Sequence, residues 1–190
     1  MVTAVRKATY QDVLAAPPNV IAEVIHGVLH TNPRRATTHA AATSALGEEL
    51  GPPFKRGRGG PGGWLIVDEP ELHLGEDIVV PDLAGWRRER PAKLPDAAFV
   101  TVPPDWVCEA LSERTRKLDR TDKMRIWARE SVTHVWLVDP IARTLEVLRR
   151  EGTGWRALAT HRDGERVRAE PFDAIELDLA LLWADVEAPP

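Results

Sequence analysis

The sequence predicts a mixed β-sheet flanked by helices, an α/β or α+β class. Three observations carry that reading. Short β-rich runs such as "WLIV", "DIVV" and "HVWLV" recur between Gly- and Pro-rich breaks. Two longer segments, 37–50 and 118–131, place apolar residues at helical spacing. Strand-like and helix-like segments alternate along the chain, in an order close to αββαβββαβββ.

The elements follow in order. "TYQDVLAAPP" reads as a short helix capped by Thr9 and stopped by Pro17 and Pro18. "NVIAEVIHGVLHTNP" alternates around Gly27, which predicts two strands and a turn. From Thr37 or Thr38 to Leu50, Ala42, Leu46 and Leu50 fall on one helix face. Residues 51–63, "GPPFKRGRGGPGG", read as a mobile loop carrying Lys55, Arg56 and Arg58. "WLIVDEPEL" and "EDIVVPD" read as a strand pair, with Glu76 and Asp77 as turn residues. "WRRERPAKLPDAAFVTVPP" reads as a proline-punctuated connection. "DWVCEALS" is a strand, "LDRTDKMRIWARES" a helix, and "THVWLVDP" and "RTLEVLRRE" are strands that meet near Asp139-Pro140. The remainder alternates as β-structure and closes on a short helix.

Length predicts one domain over residues 1–190. A hydrophobic fraction of 43% and a net charge of −4 suit an ordinary globular protein and argue against a chain that coats nucleic acid by charge alone. Basic residues nevertheless cluster locally, in "RTRKLDRTDKMR" (114–125), in "WRRER" (86–90) and in the Gly/Pro segment. The tryptophans read as core, with Trp86 beside its arginines the best candidate for base stacking. Cys108 is the only cysteine, so no intrachain disulfide forms, and its apolar strand makes it a small hydrophobe. No run of about 18 apolar residues occurs, and the N-terminus lacks the apolar core of a signal peptide. A cytoplasmic location is expected. His26 and His30 flank Gly27 without an H-E-x-x-H pattern, which argues against zinc.

Two acids stand out. Ile78, Val79 and Val80 run into Pro81-Asp82, so Asp82 is expected at a sheet end. Glu109 lies inside an apolar strand, sharing one face with Val107 and Leu111, while Trp106, Cys108 and Ala110 share the other. With both faces apolar the strand is central, and an ionised carboxylate there needs a cation or a metal. On the helix that follows, at about 100° per residue, Ile126, Lys123, Trp127, Met124 and Ala128 share one arc. Lys123 thus faces the core and must either snorkel to solvent or meet an anion; Glu109 is a candidate anion. Two acids, a lysine and a divalent ion suit phosphodiester hydrolysis.

The stretches "IAEVIHGVL", "VVPDLAGW", "WVCEALSERT" and "DKMRIWARESVTHVWLVDP" resemble the Uma-two family of "putative restriction endonucleases", a branch of the PD-(D/E)XK nuclease superfamily. The resemblance spans roughly residues 9–183. It implies an α/β restriction-endonuclease-like core and Mg²⁺-dependent cleavage, with Mn²⁺ as a substitute. Asp82 and Glu109 would be the metal ligands. The superfamily pattern expects lysine at 111; here Leu111 stands there, and Lys123 matches a lysine displaced onto the next helix. Glu23 would join the acids, and His39 would lie nearby. The expected partner is nucleic acid, DNA in preference to RNA, with no membrane and with room for a homodimer. Two rival readings are a non-catalytic nucleic-acid-binding or protein-interaction module, marked by Lys123 turned away from the acids, and a glycosidase-like carboxylate pair.

Overall fold

The chain builds its core on a six-stranded sheet that runs from the two antiparallel strands 144–151 and 154–162 at one edge, through strands 134–139, 106–110 and 83–87, to strand 64–68 at the other. A computed structural model describes residues 6–33, 36–91 and 93–187. The elements are α1 (Tyr10–Leu14), β1 (Val20–Ile25), β2 (Val28–Pro33), α2 (Thr37–Leu50), a π-helical turn (Gly51–Lys55), β3 (Trp64–Asp68), β4 (Leu72–Leu74), β5 (Asp77–Val79), β6 (Leu83–Arg87) and β7 (Trp106–Ala110). They continue with α3 (Arg116–Arg120), α4 (Asp122–Arg129), β8 (His134–Asp139), β9 (Thr144–Glu151), β10 (Gly154–Arg162), β11 (Arg166–Val167), β12 (Leu177–Asp178) and α5 (Ala180–Trp183). A second sheet, β2-β1-β5-β4, lies beside the first, and β11 and β12 form a small ribbon. This is the expected mixed α/β architecture. Among the described residues no helix is long and apolar enough to cross a membrane.

Strand β7 is central, as its two apolar faces require, and every one of its residues is buried. It pairs antiparallel with β6 and parallel with β8. A parallel pair needs a crossover, and α3 and α4 supply it. The two faces of β7 enter different cores. Trp106 and Cys108 join α2, the π-turn and α5, with Phe54, Trp64, Trp136 and Phe172. Val107 and Leu111 join Ile126 and Trp127 of α4 and Ile25, Leu72 and Val79 of the second sheet. The arc expected on α4 is realised: Lys123, Met124, Ile126, Trp127 and Ala128 are all buried.

Three expectations require correction. The segments around β3 and β5 do not pair with each other. β3 pairs with β6, and β5 with β4 and β1. The register explains the error: β6 begins at Leu83, directly after the run that ends at Asp82, and continues into the segment that the sequence reads as a connection. Asp82 therefore stands immediately before a strand, where the chain leaves one sheet for the other. The Gly/Pro segment is also not a mobile loop. It opens with the π-turn, buries Pro53 and Phe54, and is tied down by Gly62 N–H to the Pro53 carbonyl at 2.8 Å and Arg58 N–H to the Pro52 carbonyl at 2.8 Å. At Gly60 a Cβ would meet Pro53 at 2.5 Å, so glycine is required by close approach. Finally, the helix read as continuous over 118–131 is two helices broken at Thr121.

Asp139 ends β8 and fixes the turn into β9. Its Oδ1 accepts from the N–H groups of Ile141 and Ala142, and Arg116 donates to Oδ2 at 2.5 Å. Burial alone would raise its pKa. The Ala142 N–H, the Arg116 guanidinium and the Ile141 N–H outweigh burial and hold the carboxyl below its ordinary value. A carboxyl depressed in the folded state contributes stability above its unfolded pKa, which is lost as pH falls through the folded value. Asp139→Asn should therefore cost about 1–3 kcal/mol at pH 7. The difference from wild type should shrink below about pH 4, as followed by urea denaturation across pH.

Candidate active site

The pocket opens where β7 ends and the second sheet meets the first. Its volume is about 300 Å³, and Glu23, His39, Asp82, Glu109, Asp119 and Lys123 all line it. Each of these side chains arrives by a separate route. Glu23 sits on β1, opposite His30 of β2. Asp82 occupies the chain crossing from β5 to β6. Glu109 is the penultimate residue of β7. Asp119 comes from α3, Lys123 from α4 and His39 from the first turn of α2. All six are buried.

Lys123 is the hub. Its Nζ lies 2.9 Å from Glu109 Oε1, 3.0 Å from Glu23 Oε1 and 3.6 Å from Asp119 Oδ1. Burial pulls against the charged ammonium, but Glu109, Glu23 and Asp119 overcome it and raise the lysine above its usual value. Lys123 is therefore a permanent cation. Glu109 moves the other way from an ordinary ion-paired acid. Burial raises its pKa well above the usual carboxylate range; Lys123 opposes this, while Asp119, Asp82 and Glu23 add to it. The two shifts agree once charges are counted. Three carboxylates face one ammonium and Asp82 adds a fourth to the same pocket, so after Lys123 has its proton, Glu109 is where further positive charge is wanted.

The carboxylates are also held from behind. The Val80 N–H donates to Glu23 Oε1 at 2.8 Å, and the Ala110 N–H donates to Asp82 Oδ2 at 2.7 Å. The second bond explains why Asp82 and Glu109 converge: Ala110 follows Glu109 directly, so one backbone donor pins Asp82 to the end of the strand that carries Glu109. His39 Nε2 lies 2.8 Å from the Leu111 carbonyl. A carbonyl oxygen only accepts, so Nε2 carries the hydrogen. His39 thereby buttresses the backbone just beyond Glu109.

This donor set fits a hard divalent cation. Excess negative charge is concentrated on oxygen ligands, and Asp82, immediately before β6, lies next to the β7 strand that carries Glu109. Among the described residues no three His, Cys, Asp or Glu side chains converge tightly enough to hold an ion by themselves. An ion here would keep several waters beside its carboxylates, the habit of magnesium.

Residues 8–181 match the sequence profile of the Uma2 family, described as "Putative restriction endonuclease". The chain belongs to the Uma2 family. Its fold is also similar to the "crystal structure of a putative nuclease belonging to DUF820 from Anabaena variabilis ATCC 29413", with a TM-score of 0.73 and 21% sequence identity over 93% of this chain and 98% of that one. At that identity the likeness is one of fold. No curated protein sequence gives a significant match.

For a Uma2 protein, the structure brings together all five residues singled out from the sequence: Asp82, Glu109, Lys123, Glu23 and His39. It adds Asp119, which lies within the basic run 114–125. Its spacing was the available signal, since Asp119 lies four residues before Lys123. Leu111 points into the core instead of the site. Glu109 and Leu111 share a strand face, and α4 packs on that face, so a helix lysine can reach the carboxylate that a strand lysine would otherwise serve.

Most of the basic run 114–125 is not a free cationic face. Arg116 pairs with Asp139, Arg120 with Glu146 and Arg125 with Asp122, while Lys123 is buried. Arg114 lines the pocket. Trp86 is buried and donates its indole N–H to the Val102 carbonyl at 2.9 Å, so it is core and unavailable for base stacking. Asp77 is not a turn acid; it is buried and paired with Arg129 at 2.8 Å.

Removing the hub should expose its electrostatic role. Lys123→Met keeps most of the stem volume but leaves Glu109, Glu23 and Asp119 without their cation. Such a loss costs about 3–5 kcal/mol. Chemical denaturation in metal-free buffer at pH 7 should show that deficit, and lowering the pH toward 5 should narrow it as the stranded carboxylates take up protons.

Proposed function

We propose that this Uma2 protein is a divalent-metal-dependent endonuclease that hydrolyses phosphodiester bonds, with DNA as its substrate. One observation carries the proposal: a fully buried ammonium, Lys123, bonded to Glu109 and Glu23 in the same pocket as Asp82. A binding module would have no need for a permanent cation amid excess buried carboxylate. A glycosidase-like pair would have no use for the lysine. Membership of a family described as restriction endonuclease supports the same reading.

In this reading Asp82 and Glu109 would hold the cation, with Mg²⁺ the natural ion and Mn²⁺ a substitute. When bound, the ion would supply Lewis-acid charge beside the scissile phosphate and a nearby water. The chain's own groups do the rest. Lys123 places a fixed charge beside the developing negative charge of the transition state, in surroundings already organised by Glu23 and Asp119. The Val80 and Ala110 N–H groups keep Glu23 and Asp82 from rotating away. His39 holds the Leu111 carbonyl and with it the strand end. Arg114, at the pocket wall, meets a phosphate that enters. A single pocket cuts one strand at a time, so a homodimer is the assembly that would cut a duplex.

Metal binding should appear first as stability. Mg²⁺ or Mn²⁺ should raise the melting temperature, and Asp82→Ala should remove that rise; an equal rise in the mutant would exclude Asp82 as a ligand.

Cleavage is the direct test. Wild type with Mg²⁺ or Mn²⁺ should nick a supercoiled plasmid, and Asp82→Asn and Glu109→Gln should not. Lys123→Met, assayed at a temperature where circular dichroism shows it folded, should be slower by about 10²-fold. Leu111→Lys combined with Lys123→Met asks whether a strand lysine restores the rate. A wild-type protein that binds the metal yet cuts neither plasmid nor single-stranded DNA would overturn the assignment.

A further inference from the structure

Two basic stretches far apart in sequence meet at the end of the sheet opposite the pocket. β3 and β6 pair antiparallel with Trp64 against Arg87 and Asp68 against Leu83. Asp82 precedes Leu83, so Arg87 lies five residues along β6 from Asp82. The Gly/Pro segment folds against this end. Arg88 donates its N–H to the Gly63 carbonyl at 2.9 Å, and its guanidinium reaches the Lys55 carbonyl at 3.4 Å. That contact places Arg88 beside the Lys55–Arg56 peptide. The Arg87 guanidinium lies 4.7 Å from the centre of the Trp64 ring, which fixes it by cation–π attraction.

Arg56, Arg58, Arg87 and Arg88 are all exposed. Among the described residues none of the four has a carboxylate within salt-bridge range. Neighbouring basic residues differ: Arg90 is paired with Asp105, and Arg149 with Glu170. Glu89 is exposed beside them, and Glu48 and Asp68 line the adjoining groove. Arg56 and Arg58 are not on a floppy loop either. The π-turn, the Arg58 N–H bond to Pro52, and the contact that requires glycine at 60 hold the segment in place.

We propose that Arg56, Arg58, Arg87 and Arg88 form a platform for a phosphodiester backbone, separate from the pocket. This extends the nuclease reading by giving the substrate a second point of contact. Five residues of strand span about 17 Å, which corresponds to about five phosphates along one strand. A duplex lying along β6 with its reacting phosphate at Asp82 would therefore present the backbone of its complementary strand to the platform about half a helical turn away. The pocket is rich in carboxylate and repels phosphate until a metal is bound, so the platform supplies the charge that first captures the substrate. Guanidinium groups suit that task, because they recognise phosphate through paired donors.

The test is binding without cleavage. Full-length wild type and the double variant Arg56→Gln/Arg58→Gln are titrated with a labelled 20-base-pair duplex DNA in EDTA, across 50–200 mM salt. The slope of log affinity against log salt should be shallower in the variant by about 2, with binding at 50 mM weakened about tenfold or more. Arg87→Gln should act in the same direction by about half as much. Thermal unfolding should show all variants folded. A duplex RNA of equal length distinguishes the source of the backbone: similar losses on both would mean that the platform reads phosphate alone. Equal slopes and affinities for wild type and both variants would overturn the platform, as would a wild type that binds no duplex at 50 mM salt. Plasmid nicking with Mg²⁺ is measured in parallel. A flattened salt slope in a protein that never nicks keeps the platform and removes the nuclease, whereas unchanged slopes in a protein that nicks do the reverse.

Discussion

A buried lysine surrounded by acids is the constraint on which this molecule is organised. Lys123 Nζ touches Glu109, Glu23 and Asp119, and those contacts join four parts of the chain: β7, β1, α3 and α4. Burying an ion costs several kcal/mol unless partners and hydrogen bonds compensate, and an apolar replacement of a whole ion cluster often costs nothing. A cluster of this kind is a poor device for stability alone. Its retention at the mouth of a pocket, with carboxylate in excess, makes chemical sense when a further cation and a phosphate are to be received.

The architecture serves that cluster. The parallel β7–β8 pair forces a crossover helix, and the crossover lays Lys123 on the face of β7 that carries Glu109. The chain changes sheets between β5 and β6, and that step delivers Asp82 to the Ala110 N–H. Val80, in the same step, donates to Glu23. A single crossing of about three residues thus fixes two acids with backbone hydrogen bonds. These bonds are short-range and directional, so the acids do not depend on mutual repulsion to find their positions.

Charge on the outside follows a different logic. The basic run on α3 and α4 looks in sequence like a nucleic-acid-binding face, yet its members are mostly paired with acids of β8, β9 and α4 itself. Those pairs secure the crossover to the sheet. Among the described residues, the four guanidinium groups Arg56, Arg58, Arg87 and Arg88, with no carboxylate in range, lie elsewhere, on the ordered Gly/Pro segment and at the end of β6. Net charge of −4 conceals this separation of an acidic pocket from a basic rim.

Much of the site was legible before the structure. The apolar faces of β7 marked it as central and Glu109 as anomalous, and helical winding turned Lys123 inward. Both are local periodicities, which sequence records directly. The resemblance of ordered motifs pointed to Asp82, Glu23 and His39. Asp119 was missed because the helix breaks at Thr121, and its four-residue spacing to Lys123 was hidden in a run of charges. The pairing of β3 with β6 was missed because "LAGWR" is short, contains Gly85 and ends among arginines. The Gly/Pro segment was misread because glycine marks both flexibility and close packing, and only the position of Pro53 beside Gly60 decides between them. By itself the sequence determined the α/β class, the central strand, the inward lysine and the two acids, because each rests on residue type and period. Only the tertiary structure decided which sheet each strand joined, which arginines had acids to meet, and that three carboxylates share one ammonium beside Asp82, because pairing between distant segments depends on where the chain brings them.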